Sequence, residues 1–370
     1  MDTNKQRKRI LLLIPRMGGG GAERFVSIIA NNICDQYTIR IATLVSRGDF
    51  YRLKPAIEVV NAGYSINRKS RLTRCFSMGI HFLNALLFVR KQIQTFQPDI
   101  VFSLLKEMDI ISYLALKTLK RKQIIIHSER NDPTTRSRRV QKLLERIYRK
   151  SDMLVCQTKV VAEYYGMVHK KTVIPNPVDF SIFPNTTNEA EPKRIVAVGR
   201  LQEQKNFIML EKAFAKIAKQ YPDITVTIYG DGPQHQMLAK AIEQDDLQTR
   251  FILYGASKDV LNKIKDAAVF AFPTNYEGFP NALIEAVAMG IPVVTTDFAT
   301  GVAREIVNEK VGAIVPVGDV DAFANALKEM LDNREKRNYI REHSREVLEP
   351  FTVDKVVTKW NDLFQTLCLP

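Results

Sequence analysis

In the stretch "TNYEGFPNALIEAVAMGIPVV", residues 274–294, Glu277 and Glu285 are separated by a Gly-Phe-Pro turn and the start of a helix near Asn281. The first N–H groups of a helix have no partner within it, so the amides of Ala282 and Leu283 are available to an anion. A second stretch, "VAVGRLQEQKN" (196–206), ends a strand at Gly199 and sets Arg200 and Lys205 where another helix begins. Arg forks onto phosphate oxygens and Lys adds a point charge, so the pair suits a phosphate. Glu285, one turn into its helix, would repel a phosphate but can accept hydrogen bonds from ribose hydroxyls. Glu277 precedes the turn, where the far end of a phosphorylated ligand would sit. The plainer readings are solvated loop cations, a surface acid at Glu285, and a Glu277 that offsets the helix dipole.

Other residues carry weaker signals. His127 ends the apolar run "QIIIHS", where a buried, hydrogen-bonded histidine is the simple alternative to a ligand contact. The glycine run 18–21 is not a dinucleotide fingerprint, because Glu23 and Arg24 stand where a third glycine belongs and no acid follows the second strand in the usual position. "DVD" at 319–321 opens a helix and reads as a cap, so no metal is expected. Cys34, Cys75, Cys156 and Cys368 are scattered, which suits a reducing compartment and no zinc site.

The elements that must position these groups alternate between strand and helix. Short apolar runs at 10–14, 38–44, 99–105, 123–128, 153–158 and 172–176 are followed, in the second half, by runs at 194–199, 225–230, 250–255, 269–273, 291–296 and 312–316. Amphipathic stretches lie between most of them. The pattern predicts an α/β fold of two tandem Rossmann-like, doubly wound parallel sheets. The expected domains are 1–178 and 194–351, joined by a Pro- and Asn-rich linker at 179–193. A final helix within 352–370 is expected to pack back on the first domain. Ligands of such sheets bind beyond the carboxyl ends of the strands, and a site in the interdomain cleft is expected.

Charge is unevenly spread. Residues 1–180 carry 32 Lys and Arg against 14 Asp and Glu, while residues 181–370 carry 22 against 26, which leaves the chain at +14. The basic half therefore calls for an anionic partner. Arg68, Lys69, Arg71 and Arg74 precede an apolar helix at 76–91 that contains Phe76, Phe82, Leu86 and Phe88. Arg136, Arg138, Arg139, Lys142, Arg146, Arg149 and Lys150 form a second cluster. At about 1 kcal/mol per cation, such groups give reversible attachment to an anionic bilayer. The alternative is that the helix packs on its own sheet. No signal peptide and no stretch of 18 apolar residues is visible, so a cytoplasmic chain bound peripherally to the inner face of the membrane is expected. No nucleic-acid-binding module is present, and nucleic acid is not expected as a partner.

Taken together, "EGFPNALIE", "GRL…QKN", "IPNPVD" (174–179), "GGGGAERFV" (18–26) and "IIIHSERND" (124–132) occur in the order found in the retaining glycosyltransferases of family 4, which the chain resembles from about residue 10 onward. The resemblance implies the GT-B fold and transfer of a hexose or N-acetylhexosamine from a UDP-sugar to a lipid-linked glycan. Such transfer builds surface polysaccharide, O-antigen, capsule or glycoprotein glycans. It implies that Arg200 and Lys205 hold the donor diphosphate, that Glu285 binds ribose, and that Glu277 and His127 lie at the transferred sugar. Gly278, Phe279, Asn281, Ala282 and Leu283 would complete the donor site. Gly19, Gly20, Gly21, Glu129, Arg130 and Asn131 would face acceptor or phosphate. Pro280, where some relatives have glycine, removes one amide donor. No obligatory cofactor or metal is implied. A nucleotide-sugar epimerase of the same fold and a non-catalytic carbohydrate- or lipid-binding scaffold are the alternatives.

Overall fold

The computed structural model describes residues 7–45, 51–64, 73–119, 123–184 and 193–369, with the side chains of 73–80 left aside. The chain forms two compact units, Met1–Pro177 with Val353–Pro370, and Val178–Thr352.

Seven strands make the sheet of the first unit: β1 (Arg9–Arg16), β2 (Thr38–Val45), β3 (Glu58–Tyr64), β4 (Ile100–Leu104), β5 (Ile124–Glu129), β6 (Met153–Cys156) and β7 (Lys171–Val173). They lie in the order β3-β2-β1-β4-β5-β6-β7, and every neighbouring pair is parallel. Its helices are α1 (Gly21–Ile33), α2 (Thr73–Phe96), α3 (Lys106–Leu119), α4 (Arg138–Tyr148) and α5 (Lys159–Tyr164). Successive residues of β1 feed opposite faces. Ile10, Leu12 and Ile14 join Phe25 of α1, whereas Leu11 and Leu13 join Val89 and Ile93 of α2 and Met108 of α3. Both faces are covered, which is why β1 reads as an unbroken apolar run.

The second unit has β8 (Arg194–Val198), β9 (Thr225–Tyr229), β10 (Phe251–Gly255), β11 (Val269–Phe272), β12 (Val293–Thr296) and β13 (Gly312–Val315) in the parallel order β10-β9-β8-β11-β12-β13. Its helices are α6 (Phe207–Ile217), α7 (His235–Gln244), α8 (Val260–Ile264), α9 (Asn281–Ala288), α10 (Val302–Ile306), α11 (Val320–Asp332) and α12 (Arg334–His343). Asp319 caps α11 by accepting from the Ala322 amide at 2.9 Å. The last helix, α13 (Val353–Leu367), belongs to the first unit. There Trp360 stacks on Phe102 at 4.7 Å and lies 5.6 Å from Phe25.

Two features depart from the sequence reading. Strand β3 sits at a sheet edge with residues that alternate between exposed and half-buried, so it presents no apolar run. The segment expected to begin a linker at 179 instead joins the second unit. Val178 donates to the Phe351 carbonyl, and Phe180 and Phe183 pack into that unit's core. Residues 185–192 of the expected linker lie outside the described residues.

Glu211 on the buried side of α6 shows how the core tunes a carboxyl group. Burial, followed by a hydrogen bond with Asp245 and its charge, pushes Glu211 up to about 7, with Lys212 opposing. The folded chain keeps this proton up to about pH 7, whereas the unfolded chain releases it near 4.5. Stability is therefore lost as pH rises between those values. Glu211→Gln is expected to melt several degrees above the parent at pH 8, a gain of about 1–3 kcal/mol, and to match it near pH 4.5, as measured by thermal unfolding.

Candidate active site

Both sheets reverse their strand order beside the first strand, between β1 and β4 and between β8 and β11. Ligands of doubly wound sheets bind at such switch points. In the second unit the loop after β8 carries Arg200 and Lys205, and the loop after β11 carries Thr274–Pro280 and leads into α9.

These two loops are tied to each other by hydrogen bonds. The Asn275 amide donates to the Gln204 carbonyl at 2.8 Å, and Gln204 Nε2 donates to the Tyr276 carbonyl at 2.9 Å. Asn275 Nδ2 donates to the Glu203 carbonyl at 2.8 Å, and Asn206 Nδ2 donates to Asn275 Oδ1 at 2.9 Å. Asn206 takes a left-handed φ of 46°, which asparagine tolerates better than most residues. None of these partners stood out in the sequence, because amide side chains seventy residues apart carry no periodic signal.

The staple brings Lys205 to Glu277. Their Nζ and Oε1 atoms are 2.6 Å apart, and the side chains are 15% and 8% exposed. Lys205 Nζ also lies 4.5 Å from the Phe272 ring centroid, a cation–π contact, and Thr274 Oγ1 is 2.9 Å from the same Glu277 oxygen. Gly199 makes room for this lysine, since a Cβ there would come within 3.0 Å of Lys205 Cε. Gly230 presses the strand end from the other side, where a Cβ would meet the Gly199 carbonyl oxygen at 1.8 Å. Arg200 is exposed and has no ion-pair partner among the described residues.

Helix α9 starts without a side-chain cap, and Pro280 is its N-cap residue. The Asn281 and Ile284 amides donate to the Phe279 and Pro280 carbonyls. Among the described residues the amides of Ala282 and Leu283 have no acceptor, so the positive end of the helix dipole remains available. Glu285 is half-buried one turn in. The far end of α9 is anchored, with Ser344 Oγ donating to the Val287 carbonyl at 2.9 Å and Arg345 Nε to the Ala288 carbonyl at 2.6 Å. Gly278 and Phe279 occupy the turn itself, with Phe279 buried. The second unit thus gathers Arg200, Lys205, Glu277, Gly278, Phe279, Asn281, Ala282, Leu283 and Glu285 at one switch point.

The first-unit candidates fare differently. His127 is fully buried, with Nδ1 2.6 Å from Ser151 Oγ and Nε2 3.4 Å from Ser112 Oγ. Burial pushes it down to about 3, so it is a neutral core histidine, and the expected sugar contact is corrected accordingly. Glu129 is also internal. It forms a two-pronged ion pair with Arg136, accepts from Tyr165 Oη at 2.6 Å and from the Asn131 amide at 3.1 Å. This binds Glu129 into the core rather than toward a ligand, and Asn131 is exposed. Arg136, counted above in the second basic cluster, is thereby engaged within the first unit.

The glycine loop before α1 meets a carboxylate of its own chain. Glu23, the third residue of the helix, folds back so closely that a Cβ on Gly20 would lie 2.3 Å from its Oε2. Arg16 Nε donates to its other oxygen at 3.3 Å. An acid in the first turn of a helix is favoured by the positive end of the helix dipole. Gly19 is exposed, and Gly20 and Gly21 are half-buried.

Comparison with known proteins places this fold in one class. Sucrose-phosphate synthase from Thermosynechococcus elongatus superposes with a TM-score of 0.82 at 16% identity, covering 98% of this chain and 99% of that one. HepE from Anabaena, solved in complex with UDP, gives 0.76 at 14% identity over 97% and 100%. The architecture is that of the GT-B glycosyltransferases. Residues 19–181 match "Glycosyltransferase Family 4" and residues 179–347 match "Glycosyl transferases group 1", and the chain belongs to this glycosyltransferase family.

Among its curated relatives is a Campylobacter jejuni enzyme named as an α-1,4-N-acetyl-D-galactosaminyltransferase of a diNAcBac-PP-undecaprenol-linked glycan, 23% identical over 95% of this chain and 97% of its own length. Another is an Escherichia coli UDP-Gal:α-D-GlcNAc-diphosphoundecaprenol α-1,3-galactosyltransferase, 29% identical over 55% of this chain. The match spans 56% of that relative.

Proposed function

We propose that this glycosyltransferase moves a hexose or N-acetylhexosamine from a UDP-sugar to a lipid-linked, diphosphate-bearing glycan acceptor, with retention at the anomeric carbon. The observation that carries the reading is the switch point of the second unit. There a lysine–glutamate pair, an exposed arginine and two acceptor-free helix amides stand together. Lys205, Arg200 and the α9 amides suit a diphosphate, Glu285 suits ribose, and Glu277 suits the sugar end. The bond between the anomeric carbon and the diphosphate oxygen breaks while the acceptor oxygen bonds the same face. The acceptor proton passes to the departing phosphate, whose growing charge the cations and amides stabilise without a metal. The names of the relatives above support the acceptor class, and the UDP complex of HepE supports the donor.

Attachment to an anionic membrane face is part of this proposal. Arg138, Arg139, Lys142, Arg146, Arg149 and Lys150 on and just after α4 are exposed without ion-pair partners among the described residues. On α2, Ala85, Val89 and Ile93 pack on the sheet while Phe82, Leu83 and Leu87 stay exposed. Arg68, Lys69 and Arg71 lie outside the described residues, as does the side chain of Arg74. No described helix is long and apolar enough to cross a membrane.

The test is a thermal-shift screen over nucleotide-sugars, followed by transfer to synthetic polyprenyl-diphosphate sugars with the anomer read by NMR. A UDP-sugar is expected to raise the melting point most, and the product is expected to keep the donor's anomeric configuration. Release of UDP with no acceptor product would favour the epimerase. UDP-sugar binding without turnover on any acceptor would favour the scaffold.

A further inference from the structure

Helices α6 and α7 each return the chain between parallel strands, β8 to β9 and β9 to β10, so they lie side by side and run in the same direction. Between them lies a cavity of about 510 Å³. That volume is within the range of small-molecule sites. The cavity is separate from the donor site, because Arg200, Lys205, Glu277 and the residues of α9 do not line it. Helices α6 and α7 pack on the sheet face fed by Ile195 and Ala197 of β8, whereas α9 packs on the face fed by Val196.

The two ends of the cavity differ chemically. Glu203, Asn206 and Asn275 of the stapled loops line one end, with Gln234, the N-cap residue of α7. Amides and a carboxylate together offer the donors and acceptors that hydroxyl groups need. Ile208 and Met237 give an apolar middle, and one to two turns further along, Lys212 of α6 and Lys240 of α7 line the other end. The side chains of Lys212, Gln234 and Lys240 make no hydrogen bond or ion pair among the described residues. Two uncommitted ammonium groups on facing helices suit one phosphate. No aromatic side chain lines the cavity among the described residues, so nothing there stacks a nucleobase. From Gln234 to Lys240 helix α7 rises about 9 Å, the span of a hexose with one phosphate.

The loop end of the cavity is the back of the wall that carries the donor-site pair. Asn206 follows Lys205 directly, Asn275 stands two residues before Glu277, and their side chains meet at 2.9 Å. The Gln234 amide donates to the Leu201 carbonyl at 3.0 Å, which ties the start of α7 to the same loop as Arg200. An occupant held by Asn206 or Asn275 would therefore immobilise the turn that presents Lys205.

We propose that this cavity binds a phosphorylated monosaccharide and that its occupant tightens the donor site through the Asn206–Asn275 contact. The phosphate lies between Lys212 and Lys240, and the sugar hydroxyls lie toward Glu203, Asn206 and Gln234. The coupling rests on the donor site proposed above. The cavity itself does not.

The experiment is a calorimetric titration of the full-length protein with glucose 6-phosphate, with and without saturating UDP, and with glucose and inorganic phosphate as controls. Glucose 6-phosphate is expected to bind at least tenfold more tightly than either control. Saturating UDP is expected to tighten it about fivefold, and by linkage glucose 6-phosphate tightens UDP by the same factor. The double variant Lys212→Gln with Lys240→Gln changes two exposed side chains and is expected to weaken glucose 6-phosphate at least tenfold, with UDP affinity within twofold of the parent. Asn275→Ala is expected to reduce the coupling factor below twofold, a ratio that a general loss of stability would not move. No binding by the parent, or unchanged affinity in the double variant, would overturn the site. Competition with UDP would place the probe in the donor site instead, and equal affinity with and without UDP would overturn the coupling. If UDP itself fails to bind, the donor reading fails, while lysine-dependent binding of glucose 6-phosphate to the UDP-free protein still decides the cavity.

Discussion

Lys205→Ala is expected to lower sugar transfer by about two to three orders of magnitude and to lower the melting point of the second unit as well. The catalytic part follows from removing a preorganised charge beside a departing diphosphate. The structural part follows from Glu277, which is buried and would keep Thr274 but lose its cation. Breaking a buried pair by deleting one member costs about 3–5 kcal/mol, because the other charge stays desolvated. Over a unit of this size that is about 10 °C.

The two effects separate in the double variant Lys205→Met with Glu277→Gln. It removes both charges and is expected to recover most of the melting temperature while remaining inactive. Calorimetry and a UDP-release assay measure the two quantities. A Lys205→Ala protein that transfers sugar at the parental rate would remove the diphosphate role.

The second large effect lies in the first unit. Arg136→Ala strips Glu129 of a two-pronged partner at a site where the side chains are 6% and 1% exposed. Tyr165 still donates to Glu129 at 2.6 Å, but a phenol does not replace a cation. A destabilisation of about 3–5 kcal/mol is expected, seen as a melting transition lowered by about 10 °C. Arg136→Lys keeps the charge, loses the fork and should fall between the two. An Arg136→Ala transition within a degree of the parent would mean that the ion pair contributes little to stability.

The sheet was legible because its strands are buried on both faces, and residues such as Ile10–Ile14 write that burial directly into the sequence. Strand β3 was hidden because an edge strand with half-exposed residues has no such run. The ends of α9 and the loop cations could be placed from local spacing. Partnerships could not. Lys205 and Glu277, or Asn206 and Asn275, meet only because β8 and β11 are neighbours in the sheet, a fact of topology.

The same limit explains His127 and Arg136. His127 was read as a sugar contact, with a buried histidine as the alternative, and Arg136 as one of a basic cluster, and each is held inward by its hydrogen bonds. The glycine run shows the converse case. Its helix start was readable, but the backward fold of Glu23 over Gly20 is a side-chain choice.

The first unit is assembled from two pieces of chain, and all of Val178–Thr352 is synthesised between them. Phe25 and Phe102 leave the ribosome early, yet the aromatic surface they offer is closed only by Trp360 and Phe364. During translation the contiguous unit can therefore complete its core first, while the discontinuous one waits with an open greasy face.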